Sequence, residues 1–167
     1  FDQGKIGKSE LNFLEKIISN SIQIVNLENF EIDPKKNVIA ISADHQSTLF
    51  SEAASASFHA DGWQVYSLGD MSSSIDVLFD LDLQKFLTKV WKSGMGIMVI
   101  VVFSSTEESM KFFAESVNSI KLKSRKSLYL AVCGDMKKNT EIEADLIDKD
   151  LEAILQWSQT TFESSVS

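Results

Sequence analysis

The 167-residue sequence has one cysteine, one proline and seven glycines. A lone Cys133 excludes an internal disulfide and any multi-cysteine zinc site. With one proline, Pro34, breaks between elements fall to glycines and polar turns. The glycines do not cluster, so neither a dinucleotide fingerprint nor a P-loop can be built. No run approaches ~18 consecutive apolar residues, so neither a spanning helix nor a signal peptide is expected within these residues. Positive charge is also short: sixteen Lys and Arg against twenty-four Asp and Glu leave a net charge of -8. That balance speaks against direct nucleic-acid binding, which needs a cationic face. The small basic cluster Lys121, Lys123, Arg125 and Lys126 suits a helix end, where cations complement the dipole. The expected setting is cytoplasmic.

What is present is 44% hydrophobic residues, ordinary for one globular domain of this length. The pattern predicts one domain over 1–167, with a helical segment at 1–33 and an α/β core at 37–157. In the first segment Ser9 is the expected cap, and Leu11, Phe13, Leu14, Ile17, Ile18 and Ile22 recur at helical spacing. The turn at Pro34 follows. Short apolar runs at 37–43, 63–68, 96–103 and 128–132 read as buried strands, with a shorter fifth at 143–148. Helices are expected between them at 47–61, from Ser72–Ser74 to about Ser93, and from 106 to about 122. Ser105 to Glu108 reads as a capping box for the last of these. A final helix capped by Asp150 runs to about Trp157. Strand and helix alternating in this way predict a doubly wound, mostly parallel five-stranded sheet, flavodoxin-like, with helices on both faces. Ligands in such sheets bind at the carboxyl ends of the strands, so the segments to watch are 42–47, 104–106 and 133–137.

Several chemistries of this fold fail on their residues. A phosphoacceptor aspartate is missing at the end of the third strand, where Phe103-Ser104-Ser105 stands. The loop after the first strand, Ala43-Asp-His-Gln-Ser-Thr48, has no glycine to cradle phosphate. A Ser104, His45 and Asp44 or Asp135 triad has no nucleophile elbow around it. The chain is therefore not expected to be an enzyme.

The stretch from Val38 to Gly69 resembles the cobalamin-binding domain of methyltransferases, mutases and light- or cobalamin-sensing regulators. The resemblance rests on a strand, a loop, an Ala-rich helix and Gly62-Trp-Gln-Val-Tyr-Ser-Leu-Gly69. It extends in pattern over most of 37–157. Ser104-Ser105 falls where that family places a serine against the nucleotide tail, and Cys133-Gly134 where it places paired glycines. The family's cobalt-ligating histidine falls at Ser47 and its following glycine at Phe50. A subgroup of the same fold is described as binding haem instead of cobalamin, and the chain is similar to it in its altered ligand motif. The resemblance implies a sensory or regulatory domain with a tetrapyrrole ligand, either haem or a cobalamin. His45 is the metal-ligand candidate, Cys133 a second, and Ser47, Ser104, Ser105 and Gly134 line the site. The alternative is a cofactor-free relative serving as a protein-interaction or dimerisation module. In either case a protein partner or a fused signalling domain is the expected reader, with a homodimer open and no membrane role.

Overall fold

A computed structural model describes residues 8–26, 29–76, 78–91, 95–124, 127–137 and 141–167. Five strands form one sheet: β1 (Asp33–Ser42), β2 (Trp63–Asp70), β3 (Ile97–Phe103), β4 (Leu128–Cys133) and β5 (Leu146–Asp148). Their order is β2-β1-β3-β4-β5, and every neighbouring pair is parallel. The helices are α1 (Lys8–Asn26), α2 (Thr48–Ala60), α3 (Phe79–Val90), α4 (Glu107–Lys123) and α5 (Leu151–Val166). The doubly wound α/β architecture expected from the alternating pattern is present, and its sheet is parallel throughout.

Each strand sends alternate side chains to opposite faces, and each face has its own core. Ile39, Ile41, Met98, Ile100 and Val102 pack under α3 and α4 with Phe79, Leu83, Phe113 and Val117. Val38, Ala40, Val99, Val101 and Phe103 pack under α2 and α5 with Phe58, Trp63, Ile154 and Phe162. All seven residues of β3 are buried, as its unbroken apolar run requires of a central strand. Burying each such side chain is worth about 1.5–3 kcal/mol, so the two half-cores dominate the stability.

Several boundaries differ from the sequence expectation for physical reasons. β1 starts at Asp33, not 37, with an irregularity between Asp33 and Asn37. Pro34 falls inside that irregularity, where a missing N–H interrupts no ladder bond. β2 does not stop at Leu68. Its pairing shifts by one residue opposite Ala40 and Ile41, so Leu68 is accommodated as an extra residue and the strand continues to Asp70. Ser72–Ser74 form a single 3-10 turn rather than the start of α3, and Asp76 accepts the N–H of Leu78 at 2.7 Å ahead of the helix. The cap of α4 is Thr106, which accepts from Ser109 N at 3.3 Å, and the capping box from Ser105 does not form. α5 is capped by Asp150 as expected but runs on to Val166. β5 is confined to Leu146–Asp148.

Ser9 lies within α1 rather than ahead of it. That helix rests on α2, with Ser19 Oγ donating to Glu52 Oε2 at 2.7 Å, and it leaves Phe13, Leu14, Ile17 and Ile18 exposed. Its apolar stripe is thus only partly a core face. Of the expected basic cluster, Lys121 pairs with Asp145 at 2.5 Å, while Arg125 and Lys126, like Ser93, lie outside the described residues. Among the described residues no helix is long and apolar enough to cross a membrane.

Candidate functional site at the carboxyl edge of the sheet

The loops after β1, β3 and β4 meet at one edge. Parallel register brings Ser42 beside Phe103 and Phe103 beside Cys133. Backbone bonds then extend the pairing past the strand ends, from Ala43 N to Phe103 O at 2.8 Å and from Ser104 N to Cys133 O at 3.1 Å. The three segments singled out in the sequence are therefore neighbours.

Asp44 joins them. One carboxylate oxygen accepts from Ser47 N at 3.0 Å and Ser47 Oγ at 2.8 Å, and the other from Ser104 Oγ at 3.0 Å and Ser105 N at 2.7 Å. The first two contacts cap the short 3-10 turn His45–Ser47 that leads into α2. The other two hold the β3–α4 loop to it. Burial alone would raise the Asp44 pKa, but the Ser105 N–H and the hydroxyls of Ser47 and Ser104 outweigh it and hold the carboxyl below its usual range. In the sequence Asp44 stands out only as a possible third member of a triad with Ser104 and His45. The available signal was local: an aspartate between a strand end and a helix start, three residues before Ser47, is an N-cap pattern.

A cleft of about 420 Å³ opens beside this hub, on the α2 and α5 side of the sheet. Ser47, Ser104, Ser105, Cys133 and Gly134 all border it. His45 does not. Its side chain is 90% exposed, with Nδ1 3.6 Å from Asp70 Oδ2. Asp70 is itself held below the usual carboxylate range, first by the Ser72 N–H and hydroxyl and then by facing His45. The cleft also takes in Gln46, Phe50, Asp135 and Lys149. Of these, the sequence reading noted Asp135 as lying near the crevice mouth. Phe50 is 63% exposed, whereas Phe58, Phe79, Phe113 and Trp63 are buried.

Cys133 is buried against Phe103 and Ile154, a small apolar filler at a strand end. Burial, reinforced by Asp148, Asp150 and Asp135, pushes its thiol up to about 11. It is therefore a protonated thiol at neutral pH, whereas a metal needs the thiolate. We expect Cys133 to react with a thiol reagent at pH 7.5 about 100-fold more slowly than free cysteine, in proportion to its thiolate fraction. Ellman kinetics on native and urea-unfolded protein check this, and equal rates would show an accessible, ionised sulfur.

Gly134 has a packing role. A Cβ there would meet the Met110 methyl and the Ser104 carbonyl, so the turn after β4 presses directly on α4. The triad of Ser104, His45 and Asp44 is not assembled: Ser104 Oγ bonds Asp44 directly, and His45 faces Asp70. Among the described residues no group of three or more His, Cys, Asp or Glu is placed to hold a metal ion.

No protein-family model matches the chain, and no curated protein matches it. Among solved structures, the Methanosarcina barkeri monomethylamine corrinoid protein aligns with 98% of this chain and 74% of its own at a TM-score of 0.61, with 14% sequence identity. The likeness spans the sheet, both helical layers and the edge just described, and the chain has a cobalamin-binding-like, flavodoxin-type fold.

Proposed function

We propose that this chain is a regulatory domain that receives a tetrapyrrole at the carboxyl edge of its sheet, a corrinoid in preference to haem. One observation carries the reading. The loops after β1 and β3 bring three serines, and the end of β4 with the turn after it brings Cys133 and Gly134, around a single cleft at the place where open parallel sheets bind ligands. At about 420 Å³ the cleft is of small-molecule size. The cleft would hold the polar tail of a corrinoid, and His45 stands exposed at the same edge.

The donor set separates the two tetrapyrroles. Haem retention rests on strong axial ligands. Cys133 is buried and His45 lies outside the cleft, so neither sets a strong axial ligand within it, as haem retention requires. A corrinoid differs in carrying a long hydrogen-bonding tail that the hydroxyls and backbone of a cleft can hold, so its retention rests less on an axial ligand. Ser47, Ser104 and Ser105 border the cleft, where Ser47 Oγ and Ser104 Oγ, already donating to Asp44, would accept from the tail, and the exposed His45 is the side chain that would reach the metal. Occupancy would favour one arrangement of the Asp44-centred loops, and a protein partner or fused domain would respond to that shift.

The second reading, a cofactor-free interaction module of the same fold, is favoured by Phe50, whose ring borders the cleft. Absorption titrations with hydroxocobalamin and with haemin separate the readings. We expect saturable changes with hydroxocobalamin at micromolar concentration, about tenfold tighter binding in Phe50→Gly, and weaker binding in His45→Ala. A Soret shift with haemin that disappears in His45→Ala would overturn the corrinoid preference. No response to either compound, in wild type or Phe50→Gly, would leave the interaction module.

A further inference from the structure

A second pocket lies on the opposite face of the sheet from this cleft, between the turn after β2 and α3. Its floor is Phe79 and Leu83, both nearly fully buried, and its walls are the half-buried Leu68, Met71 and Phe86. Its volume is about 270 Å³, room for one large apolar side chain. Two carboxylates, Asp76 and Asp82, stand in its wall, and no lysine or arginine lines it. Beside it Ile75 and Leu78 are 44% and 57% exposed, which extends the apolar surface over the rim. Isolated exposed hydrophobics need no explanation, but a contiguous set around a pocket marks a contact surface.

We infer that this pocket is a docking site for a basic amphipathic helix of a partner protein. An apolar residue of that helix enters between Phe79 and Phe86, and its lysines or arginines face Asp76 and Asp82. The charges decide the occupant. Among the described residues the only charged groups in its lining are two carboxylates, and on a chain of net charge -8 they attract a cationic segment and repel an acidic one, a second copy of this chain included. Anchor residues in an apolar groove with charges at the rim are the usual grammar of helix-in-groove recognition. The inference does not depend on the tetrapyrrole reading, because the pocket and the cleft share no residue.

The probe is a synthetic 18-residue helix of leucines and lysines with an amino-terminal fluorescein, titrated with the full chain and followed by fluorescein anisotropy and amide NMR shifts. A matched peptide with glutamate for every lysine is the control. We expect micromolar binding of the basic peptide only, with shifts centred on Leu78 and Phe86. Ser73→Phe, which fills the pocket from an exposed position, should weaken binding about tenfold, and Asp76→Asn with Asp82→Asn should flatten its salt dependence. Unchanged binding in both variants, or shifts centred elsewhere on the acidic surface, would overturn the inference. So would equal binding of the glutamate peptide. Concentration-dependent self-association that Ser73→Phe abolishes would assign the pocket to a second copy instead and equally overturn it.

Discussion

Gly96→Ala should destabilise the chain by about 3 kcal/mol or more, the sum of a left-handed backbone penalty and an overpacking penalty. Gly96 has φ +69° immediately before β3, and a Cβ there would overlap the backbone of Lys35. Lys35 belongs to the irregular opening of β1 and cannot swing aside as a side-chain tip would. The central strands would then have to part at their amino ends, where Lys36 pairs with Ile97. A urea midpoint shift at constant m-value, with a melting temperature about 10 °C lower, is the expected readout. Gly69→Ala is the internal comparison. It shares the positive φ, at +66°, but nothing lies within 4 Å of its added Cβ, so only the backbone penalty applies. Equal losses at the two glycines would show that close approach to Lys35 contributes nothing.

The second large effect is expected at Asp44. Asp44→Ala leaves the donors at Ser47, Ser104 and Ser105 without their shared acceptor, and Ser47 and Ser104 are buried. Losing a cap and stranding buried donors together should destabilise the fold by about 2–4 kcal/mol. Asp44→Asn keeps the shape and one acceptor oxygen, and should lose less. The charge also predicts a pH dependence. Because the folded-state pKa of Asp44 lies below the unfolded one, its contribution is fully present above the ordinary carboxylate range and disappears as pH falls through the folded value. Stability measured from pH 7 down to pH 3 should therefore fall steeply below about pH 4 in wild type. It should fall less in Asp44→Asn. Parallel acid limbs for the two proteins would mean that the carboxylate adds no charge-dependent stability.

Much of the fold was legible because its signals are local and strong. The unbroken apolar run at 97–103 could only be a strand covered on both sides, and the alternation of such runs with helical segments implies parallel crossovers. The edge where the loops meet followed from that topology. The misplacements occurred where one neighbour outweighed another. Ser72–Ser74 carry good capping residues, yet the helix waits until Phe79 can face the core. Ser105 and Glu108 have the spacing of a capping box, but Ser105 N is taken by Asp44 and the cap passes to Thr106.

The site was only half readable. Types and positions put Ser47, Ser104, Ser105, Cys133 and Gly134 near one cleft, since each follows a strand end whose neighbour the topology supplies. Nothing in the order of residues says that His45 turns outward to Asp70, that Phe50 borders the cleft, or that Cys133 stays protonated. Those outcomes depend on packing between segments far apart in the chain.

What the amino-acid order alone determined is the layered parallel sheet, because hydrophobic periodicity and crossover handedness act within and between consecutive elements. Only the tertiary structure decided that Asp44 draws Ser104 and Ser105 across sixty residues of chain. Which donors reach a carboxylate is a matter of register between neighbouring strands, and register is settled only when both faces of the sheet are covered.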